Sequence, residues 1–411
     1  MTPTDCYTDS LLSTEDALHQ LLQQASPVRK TETVNLIEAE GRILAKDIIA
    51  TIHVPPLDNS AMDGYAANND DLINAKGKAL PISHRICAGD AISTLEPGHV
   101  ARIFTGAVIP KGANTVIMQE HCHVADNTIS DYPAQKDYQN IRHAGEDITS
   151  GSCLLKQGHV IQPQEMGLIA SIGVATIEVY RKLKVAIFFT GDELIETGLA
   201  APAGKIYNSN RYTLTGLLKR LGCEINDLGI VEDTLFATRN AMTLAAKNAD
   251  LVITSGGVSV GEEDHVRAAL ENIGSLTMWR VKMKPGKPIA YGNINGTPFL
   301  GLPGNPVSTF VTFCLFANPY IKHCQGNTHD TPSGYLIPAA FNRRHKRGRA
   351  EYIRVKLRTD NEGRRTLICF KNQGSGVLTS VSWADGLALI KEDTQVSEGD
   401  LLRYFPMNEI T

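Results

Sequence analysis

Between residues 14 and 25, Leu18, Leu21, Leu22 and Ala25 recur at helical spacing. The segment is entered through Ser13, with Asp16 in the capping-box position, and is closed by Pro27. This predicts an amphipathic helix with a capped start. Residues 163–172, opened by Pro163 and closed by Gly173, predict a second helix of the same type. Between them the pattern changes. Short apolar runs such as Ala101–Thr105, Thr115–Met118 and Thr128–Ser130 are separated by Pro-Lys-Gly at 110–112 and Asp-Asn at 126–127. Such runs predict strands and turns, so a small β domain inserted into a helical one is expected.

From residue 183 buried strands alternate with helices. Leu183–Phe189, Ile225–Ile230 and Asp250–Thr254 read as strands, and 211–221, 235–247 and 263–272 as helices. This predicts a parallel sheet covered by helices on both faces. Right-handed crossovers bring the strand C-termini to one edge, where open α/β sheets bind ligands. Thr190–Leu194 and Ser255–Ser259 fall on that edge. The stretch from Pro288 to Ile321 carries no charge. Gly292, Gly296, Pro298, Gly301, Pro303, Gly304, Pro306 and Pro319 interrupt it, which predicts a buried strand, turn and helix rather than a membrane span. Beyond residue 331 the pattern returns to strands at Glu351–Leu357, Arg365–Lys371 and Leu401–Phe405.

Composition narrows the function more than the fold. The chain has 411 residues with 40 Lys+Arg and 44 Asp+Glu, a net charge of −4. Its 42% hydrophobic and 20% charged content is that of a globular protein. A disordered tail, a collagen-like fibre and a strongly basic nucleic-acid binder are excluded. An anion must therefore be attracted by local geometry. The 8 Cys form no CxxC pair, and the N-terminus shows no secretory signal. Reduced thiols and a cytoplasmic location are expected, with no membrane and no nucleic-acid partner.

Three segments carry candidate anion chemistry. Ser255-Gly256-Gly257-Val258-Ser259 joins strand to helix, where glycines let backbone N–H groups approach a phosphate. It lacks the Gly-Lys-Ser/Thr of a P-loop, and a purely structural turn is the alternative. Pro303, Gly304, Asn305, Pro306 and Ser308 lie where another strand meets a helix, with Pro306 suited to the first helical position. Arg280, Lys282, Lys284 and Lys287 bring cations together without an acid; on one strand Arg280, Lys282 and Lys284 would share a face. A solvated edge strand is the alternative there. The acids Asp63, Asp147, Glu193, Asp233 and Asp264 all sit in turn-like contexts, as helix caps or as hard oxygen ligands for Mg²⁺. The basic run 343–349 reads as a solvated turn, with an anion or nucleic-acid patch as the alternative.

In combination these segments resemble the molybdopterin molybdenumtransferase family. The resemblance is carried by Asp58-Asn59-Ser60-Ala61-Met62-Asp63-Gly64-Tyr65-Ala66, Thr105-Gly106-Ala107 and Arg142 to Asp147. It continues through Thr190 to Leu194, Asn208 to Arg211, Ser255 to Asp264, Lys284 to Pro288, Gly301 to Ser308 and Gln373 to Gly376. It spans nearly the whole chain and implies a multidomain α/β plus β fold. The implied parts are a discontinuous helical linker (1–47 and 145–182), an inserted β domain (48–144), a doubly wound molybdopterin-binding α/β domain (183–330) and a C-terminal β-barrel (331–411).

The resemblance further implies a homodimer, with Asp63 and Thr105 reaching the active site from the partner. It implies adenylylated molybdopterin and molybdate as substrates, Mg²⁺ as cofactor, and other enzymes of cofactor synthesis as partners. The implied catalytic residues are Asp63, Thr105, Asp147, Glu193, Asp233, Asp264, Arg280 and Lys284. Ser255, Gly256, Gly257, Ser259, Lys287, Pro303, Gly304, Asn305, Pro306 and Ser308 would bind substrate, and Glu193, Asp233 and Asp264 would hold the metal. Arg280 stands where some members have Lys, which keeps the charge but not a compact ammonium. Two other activities fit parts of the pattern: adenylylation of molybdopterin by ATP, and a non-enzymatic scaffold of the gephyrin C-terminal type.

Overall fold

The computed structural model describes residues 11–257, 265–286, 288–327, 332–344 and 348–411, with side chains except at 278 and 279. Alternation within one strand shows how its central unit is built. In Lys184–Thr190, Val185, Ile187 and Phe189 join one fully buried cluster, and Ala186 and Phe188 the opposite one. The first face is covered by Leu214 and Leu218 of helix Ser209–Arg220 and by Val307 and Val311 of helix Pro306–Thr312. The second is covered by Met242 and Ala245 of Leu235–Lys247 and by Val266 and Leu270 of His265–Ile273.

The sheet order is Glu224–Val231, Lys184–Thr190, Leu251–Ser255, Thr297–Leu302, Pro288–Ile294, Gly274–Arg280. The first four strands are parallel. The last two run antiparallel to their neighbours, so the sheet is mixed where the pattern predicts a parallel one. The cause is local. Asn295 and Gly296 both take positive φ, 50° and 96°, and make the tight hairpin turn that Asn-Gly favours. The uncharged stretch 288–321 becomes these two strands, helix Pro306–Thr312 and the start of helix Asn318–Cys324. Among the described residues, no helix is long and apolar enough to cross a membrane.

Helix Thr14–Gln23 starts as its sequence predicts: Asp16 N–H donates to Ser13 Oγ at 3.0 Å. Its Ala17 and Leu21 are buried in the first-face cluster of the α/β unit. Two distant segments then meet in a second unit. Thr31–Asn35 pairs antiparallel with Thr176–Tyr180, and Ile48–Ile49 with Cys153–Leu155. Leu44, Ile161, Ile169, Ile177 and Val179 form its core. Helix Pro163–Ser171 appears as expected, and the two antiparallel strand pairs stand beside it, so the linker is mixed helix and strand. Thr-Ile-Glu-Val-Tyr alternates at period two, and both it and Thr-Glu-Thr-Val-Asn carry branched side chains that suit strands.

The inserted region forms a six-stranded sheet, ordered Thr115–Met118, Gly64–Ala67, Val100–Ile103, Leu80–Ile86, Thr128–Ser130, His123–Ala125. Beyond the α/β unit, Ala350–Thr359, Gly386–Ile390, Leu401–Pro406 and Tyr335–Pro338 form an antiparallel sheet. Arg365–Cys369 adds to it antiparallel and Met283–Lys284 adds parallel. This sheet curls into a half-barrel. An isolated parallel bridge between Ala339, just after Tyr335–Pro338, and Leu367 of Arg365–Cys369 links the two ends of this sheet.

Candidate functional site at the strand ends

Thr190, Val231, Ser255 and Leu302 end the four parallel strands on one edge. The loops beyond them are tied to one another. Thr190 Oγ1 donates to Asp233 Oδ1 at 2.7 Å, joining the first two. Asn210 Nδ2 donates to Ser255 Oγ at 2.8 Å and to the carbonyl of Gly304 at 2.7 Å, joining the other two. Ser255 Oγ donates in turn to the carbonyl of Pro303 at 3.0 Å. Thr309 Oγ1 is bonded to the carbonyls of both Pro303 and Asn305 from within helix Pro306–Thr312.

Two glycines make the close approach possible. Gly256 has φ +105°, and a Cβ there would lie 2.9 Å from the carbonyl oxygen of Thr190. Gly257 has φ +62°, and its Cβ would lie 2.5 Å from Val266 Cγ2. Only glycine adopts this geometry without strain. Gly256 N–H donates to the Leu302 carbonyl at 3.1 Å, so it is already used. Pro303 and Pro306 have no N–H. Among the described residues the N–H groups of Gly257, Gly304 and Asn305 have no partner, and neither do those of Gly191, Asp192 and Glu193 in the loop after Thr190. Gly304 and Asn305 are exposed and stand at the start of a helix. Such an edge accepts a phosphate or another oxyanion.

Other candidates are placed differently. Ser308 is buried, 3% exposed, close to Gly286. Val307 N–H is occupied by the Ser375 carbonyl at 3.0 Å, so a loop of the C-terminal unit seals this side of the helix start. Glu193 folds back over its own loop: its Oε2 lies 2.6 Å from the point a Cβ on Gly191 would occupy. The cations divide. Val281 and Met283 are buried as alternation requires, yet Arg280 ends a strand of the α/β sheet while Lys284 belongs to the C-terminal one. Lys284 Nζ donates to Glu351 Oε1 at 2.9 Å, so its charge is partly spent within the chain. Asp264, Ser259 and Lys287 lie outside the described residues.

Asp63 and Thr105 are brought together in the inserted unit. The Thr105 N–H and hydroxyl both donate to Asp63 Oδ1 at 2.8 Å. These bonds, the backbone one first, hold the Asp63 carboxyl below its usual range, with Arg102 adding to the effect. Asp147 is held through its backbone, its N–H donating to the Val54 carbonyl at 3.0 Å. No hydrogen bond or ion pair among the described residues links Asp63, Thr105 or Asp147 to the strand-end loops. Nor do the described residues contain a group of three or more His, Cys, Asp and Glu side chains placed to hold a metal.

Three residues escape a sequence-based assignment. Asn210 stands inside the first turn of a helix, a position asparagine does not favour, and that was its signal. Glu351 is the one acid of strand Ala350–Thr359, which follows a basic run. Thr309 carries no signal beyond its helical position.

Three family profiles match the chain in order. They are the MoeA N-terminal region (domain I and II) over residues 12–173, a probable molybdopterin binding domain over 186–323, and the MoeA C-terminal region (domain IV) over 337–406. The chain is 39% identical to a molybdopterin molybdenumtransferase of Haemophilus influenzae, over 97% of this chain and 100% of that protein. It is 36% identical to a molybdopterin molybdenumtransferase of Nostoc, over 83% of this chain and 80% of that one. The crystal structure of a molybdopterin biosynthesis moeA protein from Pyrococcus horikoshii superposes with a TM-score of 0.81 at 28% identity, covering 96% of this chain and 99% of the other.

Proposed function

This chain belongs to the MoeA family of molybdopterin molybdenumtransferases, enzymes of molybdenum cofactor biosynthesis, and on that premise we propose that it inserts molybdate into adenylylated molybdopterin with release of AMP. The observation that carries the reading is the pair of loops tied by Asn210, which leaves the N–H groups of Gly257, Gly304 and Asn305 unpartnered at one strand edge. They would hold a substrate phosphate. Lys284, with Arg280 and Lys287, would face the oxygens of molybdate. Attack of a molybdate oxygen on the phosphoanhydride is a displacement that needs positioning and charge neutralisation more than covalent help from the protein.

Glu193, Asp233 and Asp264 offer the hard oxygen donors that suit Mg²⁺, which would neutralise phosphoanhydride charge when bound. Thr190 orients one oxygen of Asp233 and leaves the other for this role. The working form in this reading is a homodimer in which Asp63 and Thr105 complete the strand-end site of the other subunit. The free thiols of Cys87, Cys122, Cys153, Cys223, Cys314, Cys324 and Cys369 support a cytoplasmic setting.

The test is turnover by the purified chain. With adenylylated molybdopterin and Mg²⁺, AMP release should depend on added molybdate. Adenylylation of molybdopterin by ATP in the absence of molybdate would instead establish the neighbouring activity.

A further inference from the structure

Met283–Lys284 leaves the α/β sheet and runs parallel to Ala350–Glu351, with Lys284 opposite Glu351. Glu351 is 2% exposed. Its Oε1 accepts from Lys284 Nζ and from Arg343 Nη2, each at 2.9 Å, and its Oε2 accepts from Arg343 Nε at 3.1 Å. The Arg343 contact is bidentate, which fixes the carboxylate plane as well as its position. Lys284 remains 42% exposed and opens on a cleft of about 740 Å³ that also takes in Lys371, Gln373 and Gly374.

The chain just beyond Lys284 and just beyond Gly374 touches helix Pro306–Thr312. On one side Gly286 presses so close that a Cβ there would lie 2.5 Å from Thr312 Oγ1. On the other, the Ser375 carbonyl takes the Val307 N–H. The cleft is thereby joined to the helix whose start forms the candidate phosphate loop. A buried acid in a cleft that faces an anion lowers the attraction, so its presence calls for a function. A lysine has a compact charge on a long flexible stem, and one fixed partner removes most of that freedom.

We propose that Glu351 is a positioning residue: clamped by Arg343, it holds the Lys284 ammonium at one point facing the substrate oxyanion. It does not touch the substrate itself. The inference rests on the functional reading above, in which Lys284 meets molybdate. It makes a prediction opposite in sign to simple electrostatics. Removing the acid raises the positive charge of the cleft, yet molybdate should bind more weakly because Lys284 is released.

The experiment measures molybdate affinity by calorimetry on the full chain and on Glu351→Gln, Glu351→Asp, Lys284→Ala and the Glu351→Gln/Lys284→Ala double variant. Glu351→Gln should weaken binding by roughly tenfold, the loss of one well-placed charged contact. Glu351→Asp keeps the charge and should recover part of it. In the Lys284→Ala background, Glu351→Gln should cost nothing more. If Glu351→Gln does not fold, Glu351→Asp carries the same comparison, weaker than wild type but neutral when Lys284 is absent. Unchanged or tighter binding by the Glu351 variants, or losses that multiply with that of Lys284→Ala, would overturn the inference while leaving the functional reading intact. A wild-type chain that binds no molybdate would overturn both.

Discussion

Thr105 gives its backbone N–H and its hydroxyl to the same oxygen of Asp63, both at 2.8 Å. The pair fixes the orientation of a half-buried carboxylate in the turn that leads into strand Gly64–Ala67 of the inserted sheet. Because the folded value is depressed, the stability these bonds contribute is present above the ordinary carboxylate range and is lost as pH falls through the folded value. Thr105→Ala removes the hydroxyl and keeps the backbone bond. We expect the Asp63 carboxyl to titrate closer to its usual range in this variant, seen by carboxyl NMR, with folding otherwise intact. An unchanged titration would show that the hydroxyl does not hold the charge.

The two loop glycines are constrained where a helical glycine is not. Gly257→Ala forces a Cβ to 2.5 Å from Val266 at a φ of +62°. This should destabilise the chain by about 1–3 kcal/mol and weaken AMP binding. Gly216 lies within helix Ser209–Arg220, and a Cβ there would meet nothing within 4 Å, so Gly216→Ala should stabilise by about 0.5–1 kcal/mol. Thermal unfolding of the two variants checks the contrast.

Burial by itself would raise the Glu351 carboxyl; the bonds from Arg343 and Lys284 outweigh it and hold the group at about 2, from an ordinary 4.5. Its contribution to stability is therefore complete above 4.5 and is lost as pH falls toward about 2. Acid unfolding of wild type should steepen in that window, and Glu351→Gln should flatten it. Glu351→Ala should cost about 3 kcal/mol at neutral pH, at the low end for a broken buried pair because Lys284 keeps access to water.

Asn210→Ala removes the two bonds by which Asn210 ties the Ser255 and Gly304 loops, leaving the Ser255–Pro303 bond in place. At about 1 kcal/mol for each bond, the loss should appear as roughly tenfold or weaker AMP binding. Wild-type affinity in this variant would mean the loops hold their geometry without the tie.

Much of this was legible along the chain, for reasons particular residues make plain. Val185 to Phe189 announce a strand buried on both faces. Ser13 with Asp16 announces a helix start, and glycines 256 and 257 announce a strained loop. Asp63 is legible as one of several acids in turn-like contexts and Thr105 only through resemblance; their bond joins positions 42 residues apart, which no local pattern encodes. The mixed sheet turned on a single dipeptide, Asn295-Gly296, inside an apolar stretch whose length drew the eye to membranes. Lys284 looked free because its counter-charge, Glu351, is 67 residues away and reaches it only through strand pairing. Sequence shows which residues carry charge, and long-range register decides which charges are already spent.

In the proposed function, an acidic chain captures its anionic substrate through backbone N–H groups at the strand ends rather than through its net charge. A crystal structure of the chain soaked with AMP, molybdate and Mg²⁺ puts this to the test. Anion density is expected against Gly257, Gly304 and Asn305. Density confined to the basic run 343–349, with these N–H groups empty, would contradict it.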